Sequence, residues 1–381
     1  MKRFFIGLIC LLSCVLGQTE TQGNLVSARV DSLYLPAFIP GEGGMCIRYR
    51  LEKENLSVAV LTHEAKVSRE VPWEQVRPHF YALDAALRDP TVSLTELRAI
   101  GLAFWASHID TSVVKFEGKH FLVTPDGPLL SLAWAGIPHP HSGYMADHMV
   151  CRTVLRGMLA QTIQPPKAPG QLVYAAVNHA ATATIGSTVY QRFSGRLDTG
   201  KAVRYERYIS RAPLANLLYL GLPLRRDTIS GMTGLGFSNG MLPSIDIARL
   251  RLRSDLAFLP STNTEPTQAK AASELIDAFA KAGCRSVIIS HWPQTETRIQ
   301  DGFFLRLKEG IRYDEALHAA QTQYRATAFG ERRHPYYWAG LSLVGEVGAT
   351  KKESVWWIWV LTLLLSGILL RAWLLRWKRG N

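Results

Sequence analysis

Residues 255–290 constrain the fold more than any other stretch. Asp255–Leu259 and Ser286–Ser290 are short runs apolar on both faces, as strands covered by helices on each side are. Between them, just after Pro266, Thr267–Ala282 reads as a helix. The spacing therefore predicts a strand-helix-strand unit with parallel strands and a right-handed connection. A polar loop, Pro260 to Thr264, follows the first strand, at the carboxyl end where open α/β sheets gather their sites.

The rest of the body agrees with an α/β fold. Further strands are expected at His120–Thr124, Gln171–Val177, Val203–Ile209 and Leu217–Leu222, with a short apolar strand near Asn55. Helices are expected over Arg77–Leu87, with Pro78 in the first turn, and over Leu94–Trp105, with Ser93 as the cap. Pro125-Asp126-Gly127 is a tight-turn signal. There is no internal repeat, no low-complexity tract and no charged linker.

Hydrophobic residues make up 47 % of the 381, but both ends are unusually apolar. Lys2 and Arg3 precede an apolar run from Phe4 to Leu16, the length of a signal-peptide core, with Val15 and Gly17 small enough for cleavage before Gln18. Acylation of Cys14 is an alternative, against which Leu12 is bulkier than usual. Val355–Leu375 is broken only by Arg371 and at about 1.5 Å per residue reaches roughly 30 Å, a hydrocarbon thickness. Trp356, Trp357 and Trp359 mark one interface, Trp373 and Trp377 the other, and Arg376, Lys378 and Arg379 a cytoplasmic end. The expected organisation is a signal peptide over 1–17, an ectodomain over 24–347, a single transmembrane helix over 355–375 and a basic cytoplasmic tail over 376–381. The body would be extracytoplasmic, or periplasmic in a Gram-negative cell.

This topology absorbs much of the net charge of +12. Lys2 and Arg3 supply +2 and residues 351–381 supply +5, leaving +5 for residues 4–350 without a basic run. Nucleic-acid binding is not expected. Of five cysteines, Cys10 and Cys14 lie in the signal segment, so Cys46, Cys151 and Cys284 allow at most one bridge. Cys284, ahead of Val287-Ile288-Ile289, reads as a buried small hydrophobe.

The text from residue 50 to 346 resembles the CHAT family of caspase-like peptidase domains, most closely in its second half. Phe121 to Gly127 followed by Leu129 and Leu132-Ala133-Trp134 is similar to that family's strand, turn and hydrophobic continuation. Gly240–Leu252 is similar to the run leading into its cysteine strand. Ala282-Gly283, Trp292-Pro293, Phe303-Phe304, Ala316-Leu317, Ala320-Gln321 and His334 to Ala339 follow the order of its C-terminal half. The resemblance implies a caspase-like, mostly parallel sheet flanked by helices. It also implies a cysteine and histidine at neighbouring strand ends, and those positions hold Thr262 and Pro223 here. Proline has no proton to transfer, and a hydroxyl without its base is a poor nucleophile. The resemblance thus implies a pseudopeptidase whose groove, around Ser261, Thr262, His291 and Glu296, holds a protein or peptide segment.

Two other readings stay open: a hydrolase using Ser261 or Thr262 with His291, and a structural envelope protein with a vestigial groove. His139, His141, His148 and Cys151 have ligand chemistry, but their spacing matches no zinc pattern and ordinary loop text is the preferred reading. Asn178 and His179 read as strand-end loop residues. Gly234-Leu235-Gly236 lacks the strand-to-helix context of a dinucleotide site, so no cofactor is expected.

Overall fold

A computed structural model of the chain describes residues 44–62, 66–111, 114–155, 173–177, 193, 195–199, 202–262, 264–293 and 297–345. The expected signal segment, with Cys10 and Cys14, the residues before 44, the span at 355–375 and the tail lie outside these residues, as do Asn178, His179 and Glu296. Among the described residues no helix is long and apolar enough to cross a membrane.

The N-terminal part supplies β1 (Gly44–Glu52), β2 (Asn55–Leu61), β3 (Lys66–Pro72), β4 (His120–Thr124) and β5 (Val150–Thr153), with helices α1 (Trp73–Arg88) and α2 (Leu94–His108). Then follow β6 (Val173–Val177), β7 (Gly195–Thr199), β8 (Leu217–Gly221), the small strands β9 (Leu224–Arg226), β10 (Thr233–Phe237) and β11 (Gly240–Pro243), and β12 (Leu256–Leu259). α3 (Ala269–Lys281), β13 (Ser286–Ser290), α4 (Thr297–Lys308), α5 (Tyr313–Thr327) and β14 (Leu341–Gly345) complete the described chain.

One sheet of 11 strands runs in the order β3-β2-β1-β4-β5-β14-β13-β12-β8-β6-β7. β7, β6, β8, β12 and β13 are parallel, as are β1, β4, β5 and β14. The two parallel groups meet where β14 pairs antiparallel with β13. β12, α3 and β13 form the strand-helix-strand unit expected from the sequence, with Phe258 opposite Ile288. β9, β10 and β11 form a separate antiparallel sheet after β8.

Both faces of the central strands are buried, which is why they read as continuous apolar runs. Tyr219, Phe258 and Ile288 point to a core beneath α1, α2, α4 and α5. Leu218, Leu220, Ala257, Leu259, Val287 and Ile289 point to a second core beneath α3. Amphipathic helices over both faces make this a mixed α/β fold with a large, mostly parallel sheet.

Two expected elements differ. Val203–Ile209 is not a strand; Tyr205–Arg211 is a helix, because Tyr205, Tyr208 and Ala212, spaced three and four apart, face the second core. α1 starts at Trp73, so Pro78 stands inside it and not in its first turn. The Ser93 cap is present, its hydroxyl accepting from the Glu96 amide at 3.2 Å. At the expected turn, Asp126 accepts from the Leu51 and Gly127 amides, both at 2.9 Å, and Gly127 is left-handed at φ 56°.

Cys46, Cys151 and Cys284 are free thiols. Cys284 is 1 % exposed, donates to the Ser286 carbonyl at 3.3 Å, and is pushed up to about 12 by burial. It packs as the small hydrophobe expected of it.

Candidate functional site

Parallel pairing sets the carboxyl ends of β8, β12 and β13 along one edge of the sheet: Tyr219 pairs with Phe258, and Leu259 with Ile289. Pro223 follows β8, Ser261 and Thr262 follow β12, and His291 follows β13. The fold therefore brings these expected site residues to one edge, but it does not expose them equally.

Thr262 is 1 % exposed. Its Oγ1 accepts the Ser290 amide at 2.8 Å and donates to a carbonyl, that of Ser290 at 3.0 Å or Leu259 at 3.2 Å. The Thr264 amide donates to the same Ser290 carbonyl at 3.0 Å. The hydroxyl thus extends the pairing of β12 and β13 past the end of the ladder, and its bonding capacity is spent on backbone. Ser261 is half-buried in the turn beside it. Pro223 is also half-buried, and its carbonyl accepts from Gly236 of β10 at 2.9 Å.

His291 is likewise 1 % exposed. Its amide donates to the Gly340 carbonyl at 2.8 Å and its Nε2 bonds the Ser342 hydroxyl at 2.7 Å, so the ring is engaged by β14 and not by Ser261 or Thr262. Burial, with the Arg88 charge nearby, pushes its pKa down to about 3. The expectation that Thr262 and His291 line an open groove is not met: both side chains turn inward because the ends of β12, β13 and β14 bond one another through them.

The group organising this edge comes from α1 and was not anticipated from sequence. Arg88 donates to the carbonyls of His291 at 2.5 Å and Thr264 at 2.6 Å, and to Asp84 at 2.7 and 3.2 Å. Its guanidinium lies 5.6 Å from the centre of the Trp292 ring. Asp84, 5 % exposed, also accepts from the Ser131 hydroxyl at 3.0 Å, and burial raises its pKa despite these partners. The available signal was spacing: Asp84 and Arg88 stand four apart, with Asp84 among Phe80, Leu83 and Leu87 on the buried face.

Such a site has no arrangement for nucleophilic catalysis through Thr262 and His291. The family model of the CHAT domain matches residues 210–346. That stretch is similar to a CHAT domain. That domain relates the chain to caspase-like peptidases, and the matched stretch contains Pro223, Ser261, Thr262 and His291. No curated protein matches the chain. Arg88 and Asp84 lie upstream of the matched CHAT residues, so the part of the sheet preceding them helps shape the domain's strand-end edge.

The histidine-rich loop lies elsewhere. His139 bonds the Phe116 carbonyl through Nε2 at 3.0 Å and accepts from the His141 amide through Nδ1 at 3.3 Å, while stacking on His148 at 4.0 Å. His148 Nε2 bonds the Ser142 carbonyl at 2.7 Å. Backbone groups take up these imidazole nitrogens, and among the described residues no group of three or more His, Cys, Asp or Glu is arranged to hold a metal.

Arg88→Ala leaves the Asp84 carboxyl buried without its cation and should cost about 3 kcal/mol in urea unfolding. Thr262→Val, which strips the Ser290 amide of its acceptor, should cost about 1–3 kcal/mol, with Thr262→Ser recovering most of it. Folded His108, also held near 3 by burial, and folded His291 stay neutral where an unfolded imidazole is protonated, so stability should fall from about pH 6.5 toward 3. In urea midpoints across that window, His291→Gln should flatten the slope by up to about 1.4 kcal/mol per pH unit.

Proposed function

We infer that this is a membrane-anchored CHAT-domain pseudopeptidase that binds a protein or peptide segment without cutting it. One observation carries the reading: the hydroxyl at the nucleophile position is buried and bonded to the Ser290 backbone, while the histidine position holds Pro223. Cysteine-type catalysis requires a thiolate with an imidazole in reach, and neither group is present at those positions. A caspase-like domain without its dyad lacks the means to attack a chain segment and can still hold one on the surface beside the closed strand ends. Anchoring is supported by the apolar run 355–375 with its tryptophan and basic borders, which puts the body in an extracytoplasmic compartment.

A second reading, a hydrolase using Ser261, draws on that hydroxyl's partial exposure. It requires His291 to leave Ser342 and surface beside Ser261.

Full-length protein in lipid nanodiscs, incubated with a diverse peptide library and read by mass spectrometry, should retain a subset of peptides and produce no cleavage. Cleavage that disappears in both Ser261→Ala and His291→Ala variants would establish the hydrolase instead. The anchor is checked separately by alkaline extraction of membranes, from which the full chain should not be released.

A further inference from the structure

The large sheet ends at β3, which pairs with β2 on one side and with no strand on the other among the described residues. Lys66, Ser68, Arg69, Glu70 and Pro72 are exposed along it. An open edge of this length is a template for another strand, and its backbone and charges decide which strand it accepts.

The phase of the hydrogen bonds can be read from the end of β3. The Trp73 amide donates to the Glu54 carbonyl at 2.6 Å, one step beyond the pairing of Pro72 with Asn55. Bonded pairs alternate with unbonded ones in an antiparallel ladder, so Val71, Arg69 and Val67 turn their backbone groups toward β2. Lys66, Ser68 and Glu70 turn theirs outward. Pro72 belongs to the same outward set, where its missing amide takes nothing from the existing ladder.

A second copy of β3 laid antiparallel has to match outward residues with outward residues. Centring the pair on Ser68 does so: Ser68 faces the partner's Ser68, Lys66 faces the partner's Glu70, and Glu70 faces the partner's Lys66. Each of these pairs exchanges two N–H···O bonds. Lys66 and Glu70 share one face of the strand and have no ion-pair partner among the described residues, so both charges are available to the copy. Centring on Arg69 would set Arg69 against itself and bring Pro72 into the new ladder. Centring on Val67 would set Lys66 against Ser68 and carry Glu70 past the end of the facing strand. Charges on an edge discourage strands in general, and these two favour a strand with the inverse order of charge, which the chain itself carries.

We propose that β3 pairs with β3 of a second copy of this chain about a two-fold axis at Ser68, joining the two sheets into one. At the usual twist of about 20–25° between strands, the five steps from β3 to β14 turn the sheet by roughly 100–125°. The chain exits after Gly345 then leave on the same side of the pair, as two tethers in one membrane require. The pairing is independent of the peptide-binding reading above.

The test uses full-length protein in an uncharged detergent, with mass read by light scattering and cross-linking by non-reducing gels. Wild type should be a dimer that dissociates on dilution. Lys66→Glu and Glu70→Lys should each raise its dissociation constant roughly tenfold or more, and the double variant, which restores opposite charges, should return close to wild type. Backbones paired at the axis stand about 5.5 Å apart, inside disulfide range, so Ser68→Cys should cross-link to itself under mild oxidation, above the wild-type background. Lys66→Cys, more than about 13 Å from its own copy, should not cross-link alone but should do so when mixed with Glu70→Cys.

A monomer at every concentration would overturn the assignment and leave the edge to a strand of another protein. A dimer indifferent to the charge variants, or a Ser68→Cys variant that does not cross-link, would overturn it as well and move the contact elsewhere, the apolar run at 355–375 included.

Discussion

A buried carboxylate and a half-buried guanidinium hold the working edge of this protein together. Asp84 is nearly inaccessible, so its charge is tolerable only with strong partners, and Arg88 and Ser131 supply them. The same guanidinium binds the Thr264 and His291 carbonyls, in loops that follow two neighbouring strands. One side chain from α1 thus ties the loops after β12 and β13 into a single unit. Lysine, with a compact ammonium in place of a planar fork, cannot reach the same set of acceptors.

The inertness proposed for the strand ends follows from the way hydrogen-bonding capacity is consumed. A peptidase needs polar groups held in place yet free to exchange protons with a substrate. Here the Thr262 hydroxyl completes a backbone pairing, and the His291 ring is fastened to Ser342 in a setting that keeps it neutral. These polar side chains act as interior struts.

The central strands were legible because burial on both faces writes an unbroken apolar run: β4 and β13 have the residues expected of them, and β8 and β12 differ by one residue at an end. The Ser93 cap was legible because a hydroxyl before a helical pattern has few other uses. Tyr205–Arg211 reads as a strand because seven residues hold only about two helical turns, and the deciding partner, Ala212, lies just beyond them. At the site, spacing located the loop and the strand ends but not the direction of the side chains. Whether Thr262 faces a groove or Ser290 depends on how β12, β13 and β14 stagger, and that register is set by contacts distant in sequence. Arg88 was hidden for the same reason, since its acceptors lie 176 and 203 residues away.

The antiparallel course of β14 also fixes where the chain leaves the sheet. Gly345 pairs with Ser286, at the start of β13, so the polypeptide departs from the edge opposite Thr262. Nine residues, 346–354, separate that exit from the apolar run that begins at Val355. If that run spans the bilayer as proposed, the tether is attached at the foot of the sheet and the loops of Thr262 and His291 lie toward its crown. A partner would then be met by a surface held off the lipid, a geometry suited to soluble proteins or to neighbours with long ectodomains and poorly suited to segments lying flat on the membrane.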